Sequence, residues 1–352
     1  MKIQRLHIDN YKIFRNFNLD LTHNTRAQNL IVLAGINGSG KTTLLKFIYH
    51  AFDHTETFDE GFVEFEYNED GNVKTHKLEK RSMTSGNLFD PSQSKPKKVL
   101  YYEAGIRYQD MAAKIIVQFI DTLIYEKNKR SSEAYVSVQD ILNSIFGDFE
   151  LQVSFNTLDR NRRILFQNKF AENITLDMLS GGEQTLITKA FSLYLANVQD
   201  SIILIDEPES SLHPNWQNKI ASIYQAFAEK NNNQIILATH SPHIVASARK
   251  EQIRVLIKEH DTIRAISSFN GSYGWKIDRV LLEILGTKWL RTQEIEEKLA
   301  NLRELVLAGN YGTEECQSLQ KELEATIGYD DIDLALIRLE IAKRRKVREA
   351  DH

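Results

Sequence analysis

The sequence is poor in the features that mark secreted and membrane-spanning proteins. It contains one cysteine, Cys316, among 352 residues, which excludes an intrachain disulfide and favours a reducing compartment such as the cytoplasm. Its apolar runs stay below the roughly 18–20 residues that a membrane-spanning helix needs. The first residues also lack the apolar core of a signal peptide. We therefore expect a cytoplasmic protein without a membrane partner.

The chain also lacks a strong excess of charge. Its formal net charge is −4, with 26% charged and 42% hydrophobic residues. This composition is typical of a globular protein with a large core in one or two domains. Such a mild acidity does not decide whether the protein binds nucleic acid, because that binding depends on local basic patches.

Apolar patterning predicts an α/β protein whose C-terminal part is helical. An exposed loop is expected at residues 82–98, which are rich in Ser, Lys, Gln, Asn and Pro. The predicted strands are 3–8, 17–21, 30–33, a hairpin at 63–77 that turns at Asn68–Gly71, 99–103, 202–205, 234–238, 254–257 and 263–266. The predicted helices in this part are 42–49, 110–147, 186–198 and 215–230.

The last part of the sequence, from about Lys276, is highly charged and predicted to be helical. Apolar residues recur every three or four positions in two stripes, at 295, 299, 302 and 306, and at 316, 319, 323 and 327. Asp331 reads as the start of a further helix. The basic run Lys343–Lys346 fits the solvated end of a helix better than a phosphate-binding patch.

The most informative segment is a phosphate-binding loop of the form G-x-x-x-x-G-K-[ST] between a predicted strand and a predicted helix. Its backbone N–H groups and the helix N-terminus suit a phosphate. Lys41 is expected to bridge the β- and γ-phosphates, and the Thr42 hydroxyl to ligate Mg²⁺. The expected nucleotide-binding residues here are Gly35, Asn37, Gly38, Ser39, Gly40, Lys41, Thr42 and Thr43.

Three later segments carry candidate functional residues. Ser180, Gly181 and Gly182 open a helix, where a serine cap and two glycines suit an anion. Asp206 and Glu207 follow a fully apolar strand, so Asp206 can hold Mg²⁺ and Glu207 can activate a water molecule. His240 ends the next strand, a place suited to sensing a γ-phosphate.

These four segments, in this order, resemble the heads of ABC-class ATPases, and the resemblance covers roughly residues 1–270. It implies a mixed sheet with a P-loop core and a helical subdomain at about 105–180, within a head at 1–275 and before a helical extension at 276–352. It also implies ATP and Mg²⁺ as cofactors. ATP would lie between two heads, with Ser180–Gly182 reaching the nucleotide at Lys41 of the partner, so we expect a homodimer or a higher even oligomer.

The stretch Asp206–Pro214 and the opening Ile8–Phe14 look like the RecF/SMC-related, OLD-like branch of that class. The chain lacks the coiled-coil arm of SMC proteins and the Toprim domain of OLD nucleases. It is most similar to the stand-alone ATPases of anti-phage systems of the Septu and retron-associated PtuA type. Those ATPases act beside a separately encoded HNH nuclease, which implies a nuclease partner, with DNA or RNA as a further ligand.

Some assignments stay open at this point. The ATPase is expected to regulate its partner by hydrolysis, but a nucleotide-gated scaffold, a RecF-like repair factor or a transporter subunit would share the motifs. The sequence at 209–214 argues against the transporter. Glu103 and Gln109 are the candidates for the Q-loop residue. Lys12 and Arg15 fit either a nucleotide contact or a solvated turn.

Overall fold

The structure is a computed structural model of the chain. It describes residues 2–53, 60–69, 72–79, 99–104, 109–147, 153–195, 198–267 and 271–350. The chain divides into two compact units, Met1–Leu285 and Gly286–His352. The first unit extends past the head boundary predicted after residue 275, because the helix Ile277–Glu283 packs against the helix Pro242–Ser247.

Helices and strands alternate through the first unit, and the second unit is helical. The strands within the described residues are β1 Lys2–Tyr11, β2 Phe14–Asp20, β3 Thr22–His23, β4 Arg26–Ala27, β5 Leu30–Ala34, β6 Glu60–Glu69, β7 Asn72–Glu79, β8 Val99–Tyr102, β9 Ser154–Leu158, β10 Ile164–Gln167, β11 Ile174–Thr175, β12 Ile202–Asp206, β13 Gln234–Thr239, β14 Ile253–Glu259 and β15 Thr262–Ile266. The α-helices there are α1 Lys41–Asp53, α2 Gln109–Asp121, α3 Ser131–Phe146, α4 Gly181–Leu195, α5 Pro214–Lys230, α6 Pro242–Ser247, α7 Ile277–Glu283, α8 Gln293–Leu307, α9 Glu314–Ile327 and α10 Ile332–Ala350.

A six-stranded mixed sheet forms the centre of the first unit. Its strand order is β15-β14-β5-β13-β12-β8, and only the pair β14 and β15 is antiparallel. Every residue of β5, β12 and β13 is buried, as expected for parallel strands that are covered on both faces. The predicted mixed sheet is confirmed.

The two faces of this sheet belong to different hydrophobic cores. Along β5, Leu30, Val32 and Ala34 pack on one side with helices α2 to α6, while Ile31 and Leu33 pack on the other side with α1. Strands β12 and β13 alternate in the same way. Burial from both sides fixes the register of the strands, since a shift of one residue would exchange the two cores. The strand ends that carry the candidate site are therefore held in fixed positions.

A second, antiparallel sheet covers the α1 side, in the order β2-β1-β6-β7. The strand predicted at 3–8 is confirmed as part of β1, and the side chains of Ile3, Leu6 and Ile8 are at most 1% exposed. The predicted hairpin is confirmed as well, with Glu69 of β6 opposite Asn72 of β7. The loop predicted at 82–98 lies outside the described residues.

Gln234 joins the two sheets through its side chain. It is fully buried, its Oε1 accepts the Ile3 N–H at 2.7 Å, and its Nε2 donates to the carbonyl oxygens of Ile3 at 2.8 Å and Gln28 at 3.2 Å. A single side chain thus satisfies backbone groups on two chain segments. Without it, these buried groups would have no water to replace their partners.

We expect Gln234→Leu to lower the free energy of unfolding by about 2–4 kcal/mol, because it leaves buried backbone groups unsatisfied. Urea denaturation followed by circular dichroism would measure the change. Gln118→Leu is the matched control, since Gln118 is exposed on α2. Equal stability of the two variants would show that the Gln234 bonds contribute nothing.

The segment predicted as a helical lobe at about 105–180 contains helices and also a small sheet. Helix α2 continues into a π-helical segment, Thr122–Glu126, and α3 follows. Strands β9, β10 and β11 then form a three-stranded antiparallel sheet. This sheet is absent from the predicted elements because its strands are two to five residues long, too short for a clear alternation.

The second unit is built from α8, α9 and α10. The predicted stripes are confirmed as its core, where Leu299, Leu302, Val306, Cys316 and Leu323 are at most 2% exposed. The Asp331 carboxylate accepts the N–H groups of residues 333 and 334, which confirms the predicted helix start. In both units, no described helix is both long and apolar enough to cross a bilayer.

Candidate active site

The candidate residues meet at the carboxyl ends of three neighbouring parallel strands. Strand β5 leads into the P-loop, β12 ends in Asp206, and β13 leads to His240. In the sheet, Asp206 lies opposite Ala238, and Thr239 lies opposite Ala34. Ligands of open α/β sheets bind at this edge. The order of the strands therefore brings together segments that lie some 200 residues apart in the sequence.

The P-loop holds its lysine inside the loop. Lys41 is 6% exposed, and its Nζ donates to the carbonyl oxygens of Gly35 at 2.7 Å and Ile36 at 3.0 Å. Burial lowers the pKa of Lys41, and the carboxylates of Glu207, Asp206 and Glu209 act in the opposite direction. An ammonium group in this position is available to an anionic phosphate.

The tip of the loop is open, and its base is tightly packed. Asn37 and Gly38 are exposed, whereas Ser39 is buried with a hydroxyl that has no hydrogen-bond partner within the described chain. Gly40 has φ +86°, and a Cβ there would lie 2.9 Å from the Ile13 side chain. The turn between β1 and β2 thus packs on the loop, and a side chain at residue 40 would displace it.

Lys12 lies in this same turn and Arg15 follows it in β2, but Ile13 and Phe14 are the residues closest to Gly40. Arg15 folds back to donate to the carbonyl oxygens of residues 12 and 14. The Q-loop candidate Glu103 directly follows β8, the strand at the other end of the six-stranded sheet. It forms an ion pair with Lys46 of α1. The other candidate, Gln109, is the first residue of α2.

Thr42 and Asp206 form a pair that fits a magnesium ion. The Thr42 hydroxyl donates to Asp206 Oδ2 at 2.8 Å, and Asp206 is 1% exposed. Its Oδ1 has no hydrogen-bond partner among the described residues. Burial raises the pKa of Asp206, and the Thr42 hydrogen bond opposes that rise. A buried carboxylate oxygen without a partner is costly, and a cation that is also held by phosphate and water would satisfy it.

Glu207 and His240 form a second pair beside the first. Oε1 of Glu207 lies 3.1 Å from Nδ1 of His240, and both side chains are partly exposed. Glu207 has φ +46°, a left-handed backbone conformation that costs conformational energy in residues other than glycine. Its N–H donates to Ala238 O at 2.9 Å, which ties this conformation to β13.

Glu209 is a residue of this site to which the sequence assigns no role. It is 5% exposed, and one of its oxygens, Oε1, accepts from the Thr239 hydroxyl at 2.5 Å, from His240 N at 3.0 Å and from Ser241 N at 3.1 Å. Its partners lie about thirty residues further along the chain. From the sequence alone, an acidic residue in a polar loop is expected to be solvated. These contacts become visible only when β12 pairs with β13.

The signature segment is a well-formed helix start. The Ser180 hydroxyl accepts the Glu183 N–H at 3.3 Å, and the Glu183 carboxylate accepts the Ser180 N–H at 3.0 Å. This reciprocal capping confirms the predicted cap. Within the described residues, no hydrogen bond joins Ser180–Gly182 to the P-loop of the same chain.

The two signature glycines have different surroundings. Gly181 is exposed, whereas Gly182 is buried, and a Cβ at Gly182 would lie 3.0 Å from the carbonyl oxygen of Ser211 and 3.1 Å from the Trp216 ring. Gly182 is thus required for close packing against the loop that follows β12. From the sequence, we expected both glycines to let an anion approach the backbone. The packing of Gly182 against Ser211 and Trp216 was not predicted.

Two protein-family models match the chain. The model described as AAA ATPase domain matches residues 1–136. The AAA domain model that is described with the AbiEii toxin and the Type IV TA system matches residues 119–246. Together the two matches include the P-loop, the signature, both acids and His240.

Curated relatives include ATPases of several kinds. The chain is 27% identical over 227 residues to the Retron Ec83 probable ATPase of Escherichia coli. The aligned region is 61% of this chain but only 40% of that protein. It is 23% identical over 318 residues to the Septu protein PtuA of Bacillus thuringiensis, covering 74% and 79% of the two chains. It is 26% identical over 253 residues to the phosphonates import ATP-binding protein PhnC of Mycoplasma mycoides, covering 70% and 83%.

Among solved structures, the SMC head domain from Thermotoga maritima matches with a TM-score of 0.51 at 15% identity, covering 76% of this chain and 100% of that chain. At that identity the match shows a shared fold. The fold carries a P-loop, a buried acid and a histidine at one sheet edge, in a chain that two ATPase-domain models match. The protein is therefore an ATPase that is similar in sequence to a retron ATPase and to the Septu protein PtuA, and it shares the fold of the SMC head.

Proposed function

We propose that this ATPase depends on Mg²⁺, hydrolyses ATP between two copies of the chain, and thereby regulates an associated nuclease or nucleic-acid-processing partner in the cytoplasm, in anti-phage defence. The observation that carries the hydrolytic part is the side-by-side placement of the pairs Thr42–Asp206 and Glu207–His240 next to Lys41. The partner and the defence role draw their support from similarity to the retron and Septu proteins.

In the proposed reaction, each residue at the sheet edge has a distinct part. Lys41 binds the β- and γ-phosphates, and the P-loop N–H groups orient them. Mg²⁺, held by Thr42 and Asp206, would neutralise phosphate charge. Glu207 accepts the proton of the attacking water as the new bond to phosphorus forms and the bond to the β-phosphate oxygen breaks. His240 contacts the γ-phosphate and orients Glu207.

What each chain contributes supports the proposed two-copy arrangement. Ser180 and Gly181 are exposed, and the cap orders this turn while it uses the N–H groups of Ser180 and Glu183. The N–H group of Gly181 would then face a phosphate on another molecule. Each head would carry two half-sites, the P-loop and the segment Ser180–Gly182. A two-fold axis would place the P-loop of each chain opposite the Ser180–Gly182 segment of the other. Opening after hydrolysis would then change the separation of the heads and of whatever they hold.

Affinity purification from the native host, followed by mass spectrometry, tests the proposed partner. We expect a nuclease among the co-purifying proteins. A membrane permease would contradict the proposal in favour of transport, and repair proteins alone would favour a RecF-like role.

Partner release separates a hydrolysing regulator from a nucleotide-gated scaffold. With ATP present, we expect the unmodified protein to release or activate its partner repeatedly, and Glu207→Gln to do so at most once per ATP bound. Partner activity measured by cleavage of a labelled nucleic acid would follow both proteins. Identical behaviour of the two would show that ATP binding alone sets the assembly.

A further inference from the structure

We propose that Glu209 is a positioning residue, which holds His240 against Glu207 so that the two act together on the γ-phosphate side of the site. This inference rests on the proposed roles of Glu207 and His240. It assigns a function to a buried acid that touches neither the phosphates nor the metal ligands in the arrangement described above.

The first observation is that one oxygen of Glu209 fixes three consecutive residues. Thr239 Oγ1, His240 N and Ser241 N all donate to Oε1, at 2.5, 3.0 and 3.1 Å. Hydrogen bonds to an ionised carboxylate are shorter and stronger than neutral ones. Three of them that converge on one atom therefore fix the peptide from which the imidazole projects.

A second connection lies on the other side of the same loop. The Ser241 hydroxyl donates to Gln217 Oε1 at 2.5 Å, and Gln217 Nε2 donates to the carbonyl oxygen of Leu212 at 2.9 Å. Residues 207–212 and 239–241 are thus connected twice, directly through Glu209 and through the side chain of Gln217. Because Glu207 and Glu209 share one loop, these bonds set the 3.1 Å distance from Glu207 Oε1 to His240 Nδ1.

The surroundings of Glu209 argue against a direct part in proton transfer. Its side chain is 5% exposed, while those of Glu207 and His240 are 33% and 45% exposed. Oε1 is occupied by its three donors, and Oε2 is buried away from solvent. A water molecule that attacks the phosphate would therefore meet Glu207 and not Glu209. The placement fits a group that acts through its neighbour.

The test is a double-mutant cycle on steady-state ATP hydrolysis with Glu209→Ala, His240→Ala and the double variant. We expect Glu209→Ala to lower kcat about tenfold or more and to leave the KM for ATP within about twofold, since the lost bonds orient a group that acts in the transition state. The double variant should have the kcat of His240→Ala alone. Glu209→Gln keeps an oxygen acceptor and should recover most of the activity.

Two controls accompany the cycle. Ser210→Ala changes the same loop at a side chain that makes no hydrogen bond within the described residues, and it should leave kcat unchanged. Thermal melting followed by circular dichroism checks folding. If Glu209→Ala does not fold, Thr239→Val removes one of the three donors and should give a smaller fall in kcat with the same dependence on His240.

The outcomes separate this inference from the proposed function. Independent, multiplying losses in the double variant would overturn the positioning role, as would a Gln variant no better than the Ala variant. An unchanged kcat in His240→Ala would instead contradict the proposed role of His240 itself.

Discussion

Glu207→Gln is expected to lower ATP turnover about a hundredfold or more, because it removes the group that accepts the proton of the attacking water. ATP binding should survive, since the amide keeps the size of the side chain and Lys41, Thr42 and Asp206 are unchanged. The protein should then accumulate with ATP between two heads. Light scattering with ATP and Mg²⁺ would show a mass of at least twice the 40.6 kDa chain.

The control for this experiment is the same variant without nucleotide, or with ADP. We expect a lower mass there if ATP closes the heads. A mass that does not depend on ATP would contradict closure by ATP, although hydrolysis could still be lost. Turnover within a few-fold of the unmodified protein would instead show that Glu207 is not the proton acceptor.

Complementation between two inactive variants is the second large effect that we expect. Lys41→Met removes the phosphate-binding ammonium, and Ser180→Arg blocks the exposed start of α4. Each variant alone should be almost inactive. In a mixed dimer, one site combines the intact P-loop of the Ser180→Arg chain with the intact signature of the Lys41→Met chain. An equal mixture should recover about a quarter of the unmodified activity, because half of random dimers are mixed and each has one good site of two.

If each chain completed its own site, every site in the mixture would carry one of the two substitutions and the mixture would be inactive. A mixture as inactive as its components would therefore contradict ATP binding between chains. Lys46→Met is the matched control for the lysine, since Lys46 lies on the same helix and pairs with Glu103. It should be active alone and should neither need nor give complementation.

Local patterns in the sequence were sufficient for the parts of the site that are continuous in the chain. The P-loop requires glycines and a lysine at fixed spacing, and the acids follow an uninterrupted apolar strand. Their meeting at one sheet edge could be expected, because parallel strands of one sheet end on the same side. The helical stripes around Leu299 and Leu323 were readable for a similar reason, since their period alone defines a buried face.

Contacts between distant segments were not predictable. Glu209 and Gly182 look like ordinary loop residues until β12 lies beside β13 and Trp216 lies beside the signature. Gln234 likewise reads as the polar first residue of a strand, and its bonds to Ile3 require the second sheet to be in place. In each case the partner is chosen by tertiary packing, which no local period encodes.

The burial of Cys316 makes the protein suitable for spectroscopic distance measurements without prior removal of its own thiol. The side chain is 1% exposed, and burial raises the pKa of its thiol, so it should react slowly with maleimide or nitroxide reagents. Phe170, which is 93% exposed on the turn between β10 and β11, is then a natural position for a single new cysteine. Probes placed there would test whether ATP brings two copies of the chain together, and at what distance.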